Sequence, residues 1–510
     1  MKHLALLVLA GCVHDAVPAR FADKPIVTKI DDERPIARPT ERLYWSELAL
    51  ADAVVFDPSV DVFDPVDDGI SLDVNALDEV PDSTWFTNRI GIHPMTPDEV
   101  VKSADTKGPP EGPYVIVHAK SGGGNPGFIA TDKRGIKYLF KFDTAENPGQ
   151  QTATDNIVQR IFWAIGYHTP ADFIVHFKRS ELTISPKLHA KKIDDKDIDL
   201  MLVEATQNPK GVYRATASEI LDGEARGPFA QLGTREDDPN DRIPHERRRV
   251  LRGLRVFGAW VNNTDIKDDN GLDMYVDKHL VHYLVDFGEA FGGHQSEHDQ
   301  LSIGYENAVD WSAQPKALFA FGLWERPWEA QRKTKWPQIG YFSAVNFDPR
   351  HWHVFYPYRP FHVAAPADLY WGAKLVMKFD RPMLEALVAN GELDDPDAAK
   401  YLVETLIERQ RRIGATYLDG VTPFDEITLA QDQLCGTDLG RFYKLAGASE
   451  LLVDGVRTPI PESGKLCKSL VVTPGYHIVH LQIRRPTYTT PVMELHYIGG
   501  DNPHIVGILR

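Results

Sequence analysis

The sequence predicts an α+β protein with two lobes and an additional all-β domain at the carboxyl-terminal end. Alternating apolar residues between positions 114 and 143 indicate a first lobe built on β-strands. Apolar residues recur at helical spacing from 244 to 261 and from 382 to 418, and these segments indicate a helical second lobe. From about residue 424 onward, short alternating segments separated by Gly and Pro are typical of a small β-sandwich.

The amino terminus carries the pattern of a secretion signal. A basic start and an apolar run lead into Leu9-Ala10-Gly11-Cys12, which matches a lipobox. The apolar run is too short to span a membrane. We therefore expect residues 1–11 to be a lipoprotein signal peptide and Cys12 to be the lipidated first residue of the mature chain. Val13 after the cysteine favours the outer membrane of a Gram-negative cell envelope.

The composition predicts a folded protein that a lipid anchor alone holds at the membrane. The chain has 510 residues, 43% of them hydrophobic, and no second long apolar run. Residues 12–40 are rich in Pro, Asp and Arg and predict a flexible tether, which is followed by an N-terminal extension over 41–110. The formal charge of −17, from 56 basic and 73 acidic residues, argues against nucleic acid and anionic membrane surfaces as partners.

The first lobe, over 111–215, begins with three predicted strands. They are Tyr114–Lys120, Phe128–Thr131 and Ile136–Asp143. The turn between the first two contains the glycines Gly122, Gly123 and Gly124. In the third strand, period-two geometry places Leu139 and Lys141 on one face and three aromatic residues on the other. Lys141 is a candidate ligand-binding lysine, and an ordinary hairpin with an exposed lysine is the alternative.

A helix is predicted after this sheet, from Thr152 to Ile165, because apolar residues recur at helical intervals up to Gly166. Its acidic residue Asp155 is the candidate ion-pair partner of Lys141. Glu146, in the loop before the helix, is the alternative partner.

The second lobe, over 216–420, contains the most informative stretch of the chain. A predicted helix from Pro244 to Val261 leads into Asp265, Lys267 and Asn270, which are spaced as D-x-K-x-x-N. Two short strands, Leu272–Val276 and Leu280–Val285, then bring Asn270 close to the Asp286-Phe287-Gly288 tripeptide. The arginines of the helix are expected to form a solvated face; they are Arg247, Arg248, Arg249, Arg252 and Arg255.

These residue types at this spacing fit phosphoryl transfer, which needs positioned charge more than covalent help from the protein. Carboxylate and amide oxygens, here from Asp286 and Asn270, are ligands that Mg²⁺ prefers. Asp265 is placed to accept or orient an attacking hydroxyl, and Lys267 is placed to offset phosphate charge. Singly, each motif is typical of a solvated turn; together they indicate a catalytic centre.

The motifs resemble the atypical protein-kinase-like superfamily, which includes HipA, CotH, the Golgi secretory-pathway kinases and the phosphatidylinositol kinases. The resemblance covers about residues 110–420 and departs from most kinases at Asn263 and Thr264, which replace the His and Arg before the catalytic aspartate. It implies a bilobal protein-kinase-like fold that binds ATP and Mg. Leu139 is then expected to line an adenine pocket.

The resemblance assigns each motif a role. The catalytic residues are Asp265 and Lys267, and the metal ligands are Asn270 and Asp286. The cofactor-binding residues are Gly122, Gly123, Gly124, Lys141 and Asp155. The implied activity is transfer of phosphate to a protein or saccharide hydroxyl.

Two other functions remain open on the sequence. A catalytically silent pseudokinase would keep the fold as a binding module, and the scarcity of free ATP around an exported lipoprotein favours it. His294, Glu297 and His298 also match the H-x-x-E-H motif of a zinc metalloprotease, but they lie in a loop context without the apolar stripe of a helix.

The last domain, over 424–510, is predicted to be an immunoglobulin-like sandwich. Its predicted strands are Leu451–Val456, Leu466–Thr473, Tyr476–Ile483, Met493–Ile498 and Ile505–Leu509. With Cys12 lipidated, Cys435 and Cys467 form an even pair in an oxidising compartment and predict a disulfide; two buried thiols are the alternative. Before this domain, the aromatic-rich stretch Trp311–Phe361 is interpreted as core packing, with a sugar-binding platform as the alternative.

Overall fold

The computed structural model describes most of the chain. The described residues are 20–22, 24–43, 69–119, 127–144, 147–191, 194–203, 205–293, 302–307, 316, 318–320 and 323–510. Outside them lie the lipobox with Cys12, the glycines Gly122, Gly123 and Gly124, the alternative partner Glu146, and the motif His294–His298.

The first lobe is a six-stranded sheet with helices at its edges. Its strands are β1 (Tyr114–Ala119), β2 (Gly127–Thr131), β3 (Lys137–Phe142), β4 (Asp172–Lys178), β5 (Leu182–Ile184) and β6 (Val212–Glu219). Its helices are α1 (Pro97–Lys102), α2 (Gln150–Ile165), α3 (Pro186–Ala190) and α4 (Asp195–Val203). The strand order is β4-β6-β3-β2-β1-β5. The first three strands and α2 lie where the sequence predicts them, within two residues at each end.

The two faces of β3 differ as the period-two pattern predicts. Tyr138, Phe140 and Phe142 are fully buried in the core of the first lobe. Lys141 lies on the opposite face, against which α2 packs. This separation fixes the lysine at the boundary between the sheet and the second lobe.

The second lobe is mainly helical and carries a small three-stranded sheet. Its strands are β7 (Glu224–Ala225), β8 (Gly271–Val276) and β9 (His279–Leu284). Its helices are α5 (Arg249–Val261), α6 (Arg359–His362), α7 (Pro366–Val376), α8 (Arg381–Ala389) and α9 (Pro396–Tyr417). The turn between β8 and β9 has positive φ at Asp277 and Lys278, as a two-residue hairpin of the primed type requires. Helix α9 begins with Asp395 as N-cap and Pro396 at its first position, a combination that favours a helix start.

Helix α5 begins at Arg249 rather than at the predicted Pro244. The carboxylate of Asp241 contacts the ring of His245 at 2.8 Å and the guanidinium of Arg248 at 2.6 Å, and Arg248 is held in an extended conformation. These contacts separate the short turn at His245–Arg247 from helix α5. The spacing of apolar residues does not reveal these contacts, because they depend on Asp241 in the preceding loop.

The prediction of a solvated arginine face on this helix is wrong. Arg248, Arg249 and Arg252 are buried. Arg249 pairs with Asp78 at 2.7 Å and, like Arg252, with Asp368. The acidic partners of Arg249 and Arg252 lie more than a hundred residues away in the sequence, so the burial of these two arginines follows from tertiary packing.

The C-terminal domain consists of two antiparallel sheets that share one hydrophobic core. Its strands are β10 (Phe424–Ala430), β11 (Gln433–Asp438), β12 (Glu450–Val453), β13 (Val456–Pro459), β14 (Lys465–Ser469), β15 (Gly475–Arg484), β16 (Met493–Gly499) and β17 (His504–Leu509), with a short helix α10 (Leu439–Phe442). One sheet has the order β10-β11-β14 and the other β13-β12-β15-β16-β17. The predicted strand Leu451–Val456 is in fact a hairpin, because Asp454 and Gly455 have positive φ and reverse the chain.

Buried charges attach this domain to the second lobe. Lys374 on α7 contacts Asp425 on β10 at 3.0 Å, and the Tyr370 hydroxyl donates to the same carboxylate at 2.6 Å. Arg510 pairs with Asp78 of the N-terminal extension at 3.1 Å. Because these side chains are buried, the β domain is fixed to the lobe rather than freely linked.

The segment 24–43, most of which lies in the predicted flexible tether, is extended and bonded to the folded domains. The backbone amide of Ile36 donates to the carbonyl of Lys278 at 2.7 Å. The backbone amide of Arg42 donates to the carbonyl of Arg226 at 2.9 Å. The carboxylate of Asp32 is buried and accepts from Thr84. Polar composition alone indicates a flexible segment, but contacts with distant parts of the chain hold residues 24–43 in place.

Among the described residues, no helix is both long enough and apolar enough to cross a bilayer.

A disulfide joins Cys435 on β11 to Cys467 on β14, which are directly opposite each other in the sheet. We expect Cys435→Ala with Cys467→Ala to lower the free energy of unfolding of the β domain by about 3–4 kcal/mol, because the cross-link restricts the unfolded chain. Denaturant titration of the oxidised protein and the double variant measures this. Reductant should destabilise the wild type and leave the double variant unchanged; two free thiols in non-reduced protein would contradict the pairing.

Candidate active site

A cavity of about 360 Å³ lies between the first-lobe sheet and the β8–β9 hairpin. Leu139 and Lys141 of β3 form one wall, and Met274 of β8 lies on another. The chain that connects the lobes, from Glu219 to Leu221, also lines it. This volume is in the range of small-molecule sites. That the Leu139 side of the cavity holds an adenine ring stays a prediction.

Lys141 links the two lobes at the inner end of this cavity. Its ammonium lies 2.9 Å from a carboxylate oxygen of Asp155 and 2.8 Å from one of Asp286. Burial lowers the pKa of Lys141. The negative charges of Asp155 and Asp286 raise the pKa by a larger amount, so it lies above its usual range. The lysine is therefore a fixed positive charge.

Asp155 on α2 is the partner of Lys141 that the sequence analysis prefers. Its second carboxylate oxygen accepts from the backbone amide of Phe287 at 2.8 Å. One short side chain thus holds both the lysine and the tripeptide that contains Asp286. The short side chain of Asp155 can contact Lys141 because α2 packs directly on β3, β4 and β6.

The loop after α5 places Asp265, Lys267 and Asn270 together. The Lys267 ammonium lies 2.8 Å from the Asp265 carboxylate, and the Asn270 side-chain amide donates to that carboxylate at 2.8 Å. Burial raises the pKa of Asp265, although Lys267 and Asn270 oppose this shift. In this structure Lys267 is therefore an ion-pair partner of Asp265.

Asn270 connects this loop to Asp286. Its backbone carbonyl accepts from the amide of Val285 at 3.0 Å. Because its side-chain nitrogen faces Asp265, the side-chain oxygen is the atom that Asn270 presents as a ligand. Hence the hairpin brings the two predicted metal ligands to the same place.

Asp286 is held in a strained conformation that turns its side chain toward the cavity. Its φ of 61° lies in the left-handed region, which is unfavourable for a residue with a Cβ atom. Phe287 is buried against Phe162 of α2, with ring centroids 5.1 Å apart. The Asp286 side chain is 44% exposed, which leaves its carboxylate accessible to a cation.

Two further acidic residues of the site do not appear in the sequence prediction. Burial and the nearby Asp265 raise the pKa of Glu289 to about 8, and burial with the nearby Asp155 raises the pKa of Asp172 to about 8. Glu289 follows the Asp286-Phe287-Gly288 tripeptide directly, so its position in the sequence could have indicated that it belongs to the site. Asp172 starts β4, and only the sheet pairing with Ser218 of β6 brings it near the cavity.

The side-chain oxygens of Asn270 and Asp286 fit a bound Mg²⁺ ion. Among the described residues, no three His, Cys, Asp or Glu side chains gather at metal-binding distance. A Mg²⁺ ion held by Asn270 and Asp286 would take its other oxygens from water and phosphate, as Mg²⁺ commonly does.

We expect Asp155→Asn to lower the free energy of unfolding by about 1.5–3 kcal/mol, because it removes a charge-assisted hydrogen bond to Lys141 while keeping an acceptor for Phe287. Urea denaturation measures the change. Asp98→Asn, an exposed change on α1, is the matched control and should leave stability unaltered. Equal stabilities of the two variants would contradict the ion pair.

Comparison with known proteins gives few matches. Neither family models nor curated proteins match this chain. Among solved structures, the chain is similar to the Golgi casein kinase with Mn and ADP bound, at 12% identity and a TM-score of 0.32, covering 76% of this chain and 93% of that one. A second structure of the Golgi casein kinase has 11% identity, a TM-score of 0.31 and the same coverage. Similarity at these TM-scores does not indicate a function for this chain.

Proposed function

We propose that this protein binds ATP and Mg²⁺ in a protein-kinase-like fold and transfers phosphate to a protein or saccharide hydroxyl. The observation that carries the proposal is the contact of Lys141 with both Asp155 and Asp286 at the inner end of a 360 Å³ cavity. A lysine between two lobes, paired with a helix carboxylate and a strained aspartate, is the arrangement that positions a nucleotide phosphate.

Each described residue has a distinct task in this proposal. The base would lie against Leu139 and Met274, and Lys141 would contact the phosphates. Asn270 and Asp286 would hold Mg²⁺, which when bound offsets the charge of the phosphates. Asp286 would then contact the metal in place of Lys141.

Asp265 is placed to receive the acceptor. The acceptor oxygen forms a bond to the γ-phosphorus, the bond from that phosphorus to the bridging oxygen of ADP breaks, and the hydroxyl proton passes to Asp265. Lys267, which contacts Asp265, orients its carboxylate and lies close enough to offset charge on the transferred group.

Calorimetric titration of the purified protein with ATP, with and without Mg²⁺, tests the proposal. Saturable binding that Mg²⁺ strengthens is expected. An absence of any nucleotide binding under both conditions would refute it.

The second candidate is a pseudokinase that binds a nucleotide or partner without transfer. The observation that favours it is that the charges of the site pair with one another, Lys141 with Asp286 and Lys267 with Asp265. ATP–Mg binding without detectable hydrolysis or transfer would select this function. The zinc protease hypothesis for His294, Glu297 and His298 predicts stoichiometric zinc that His294→Ala removes, and elemental analysis tests it.

We further infer that the C-terminal domain is an immunoglobulin-like sandwich. Its sheets β10-β11-β14 and β13-β12-β15-β16 match the A-B-E and C′-C-F-G strand orders of such domains, with β17 as an added edge strand. Its disulfide joins two strands of one sheet, whereas antibody domains link their two sheets. This domain is a candidate acceptor-binding or partner-binding module.

We also propose lipid anchoring at the outer membrane through Cys12. Cys12→Ser should leave an unprocessed or soluble protein, because acylation needs the thiol and stable anchoring needs more than one acyl chain. Detergent-phase partitioning of wild type and variant measures this. A variant that still partitions into detergent would refute the anchor.

A further inference from the structure

A second cavity, of about 350 Å³, lies in the second lobe beside the end of helix α5. Its lining comes from residues 304–306, from the stretch 324–353 and from α9, and includes Asn262. The residues used below are Asn262, Tyr305, Trp324, Tyr341, Trp352 and Arg409. None of them belongs to the nucleotide cavity described above.

The cavity adjoins the catalytic loop. Asn262 lies three residues before Asp265, so their Cα atoms are at most about 11 Å apart. The Asn262 side-chain oxygen accepts from the Trp352 indole at 2.9 Å, and the Thr264 carbonyl accepts from the amide of Phe355 at 2.8 Å. The wall of the cavity is therefore connected to the loop that carries Asp265.

Aromatic side chains supply much of the cavity wall. Tyr305, Trp324 and Tyr341 are half-buried, and Trp352 is buried beneath them. Half-buried aromatic rings that line a concave site leave part of their apolar surface accessible to a ligand. Asn346 and His353 lie among them in the same wall. Alternating ring faces and hydrogen-bonding groups match a polyhydroxylated ring, which has apolar C–H faces and polar edges.

A buried positive charge lies at the same cavity. Arg409 of α9 donates to three backbone carbonyls, those of Ala259, Trp260 and Ser343, and it stacks on Phe347 at 3.6 Å. These described partners are all neutral. The first two carbonyls belong to the last turn of α5, whose helix dipole supplies only about half a negative charge. The described partners of Arg409 therefore offset only part of its charge.

The remaining charges of the wall do not balance Arg409. Glu306 pairs with Arg326 at 2.6 Å, and Asp348 pairs with Arg350 at 2.8 Å. Lys316 adds a further positive charge to the lining. Among the described residues, each acid of the wall is thus paired with an arginine outside the lining, and Arg409 remains as the buried positive charge of the cavity.

We propose that this cavity binds an acidic saccharide unit of the acceptor, that is, a sugar ring that bears a carboxylate. The ring lies against the aromatic wall and its carboxylate faces Arg409. The proposal rests on the phosphotransferase function and specifies its acceptor class. An acidic peptide fits less well, because an extended backbone needs a groove with backbone partners, whereas this site is a compact cavity with ring faces.

Titration calorimetry of the full-length protein without nucleotide tests the site. The probes are galacturonic acid, the neutral sugar galactose, acetate, and a peptide of alternating Glu and Ser. We expect galacturonic acid to bind at least about tenfold more tightly than galactose, since a hydrogen bond to a charged group is lost in the neutral sugar. Acetate, which lacks the ring, should not saturate.

Trp324→Ala should weaken galacturonic acid binding by about tenfold or more, because an aromatic anchor is removed. Phe319→Ala changes an exposed aromatic residue of the same region that does not line the cavity, and it is the matched control. ATP–Mg binding should be equal in both variants. Arg409 is not substituted, since it also supports the end of α5.

Four results would overturn the proposal: no binding of galacturonic acid, equal binding of galactose, binding that Trp324→Ala does not weaken, or binding of the peptide alone. These results leave the proposed function intact if ATP–Mg still binds. Conversely, galacturonic acid binding without any nucleotide binding would support the saccharide site and refute the phosphotransferase.

Discussion

Asp265→Asn should abolish phosphate transfer while ATP–Mg binding stays near the wild-type level. The asparagine keeps the shape and can keep an oxygen at the Oδ2 position, which accepts from both Lys267 and Asn270, but it cannot take the proton of the acceptor hydroxyl. Loss of a general base lowers the rate by about 10²–10⁴-fold. Asp265 does not line the cavity proposed for the nucleotide, and the asparagine keeps an oxygen that accepts from Asn270, so the dissociation constant for ATP–Mg should change little.

Two measurements on the same preparation decide this: calorimetry for ATP–Mg, and release of ADP in the presence of acceptor or water. Asp269→Ala, an exposed acid of the same loop, is the control and should retain both activities. A variant that loses binding as well as transfer would place Asp265 among the nucleotide ligands. Wild type without transfer would favour the pseudokinase.

Asp286→Ala should remove the Mg²⁺-dependent part of ATP binding. Asp286 supplies the only charged metal ligand in the proposal, and loss of a ligand costs at least about a hundredfold in affinity for the metal complex. Without Mg²⁺, the variant should bind ATP no more weakly than wild type, because a carboxylate that repels phosphate has been removed.

Lys141→Ala gives the matched contrast. It should weaken ATP binding both with and without Mg²⁺, since it removes the counter-charge of the phosphates. Removing one partner of a largely buried pair also destabilises the fold, by about 3–5 kcal/mol, so circular dichroism must confirm that the variant is folded. Identical Mg²⁺ dependence in the two variants would contradict the separate roles of Asp286 and Lys141.

Much of the site could be predicted from local sequence. The period-two pattern of β3 places Lys141 opposite its aromatic residues, and the structure agrees. The turn at Asp277 and Lys278 fixes the hairpin that unites Asn270 and Asp286. These features depend on residues close together in the chain, so backbone geometry and side-chain alternation suffice to predict them.

Other features depend on packing between distant segments. The sequence offered Asp155 and Glu146 as partners of Lys141, and the packing of α2 on the sheet brings Asp155 to the lysine. The buried arginines of α5 and the second cavity depend on partners far apart in the chain. The extended contacts of residues 24–43 are likewise set by distant segments.

Local sequence was enough to predict the α+β class, the order of the site motifs and Cys435 with Cys467 as the disulfide candidate, because periodicity, turn residues and cysteine number are local properties of the chain. Tertiary structure alone decided which charges are buried and paired. The stability of a buried charge depends on the partner that packing provides, and no local pattern specifies that partner. The positive charge at Arg409 and the strained backbone of Asp286 are therefore properties of the folded protein.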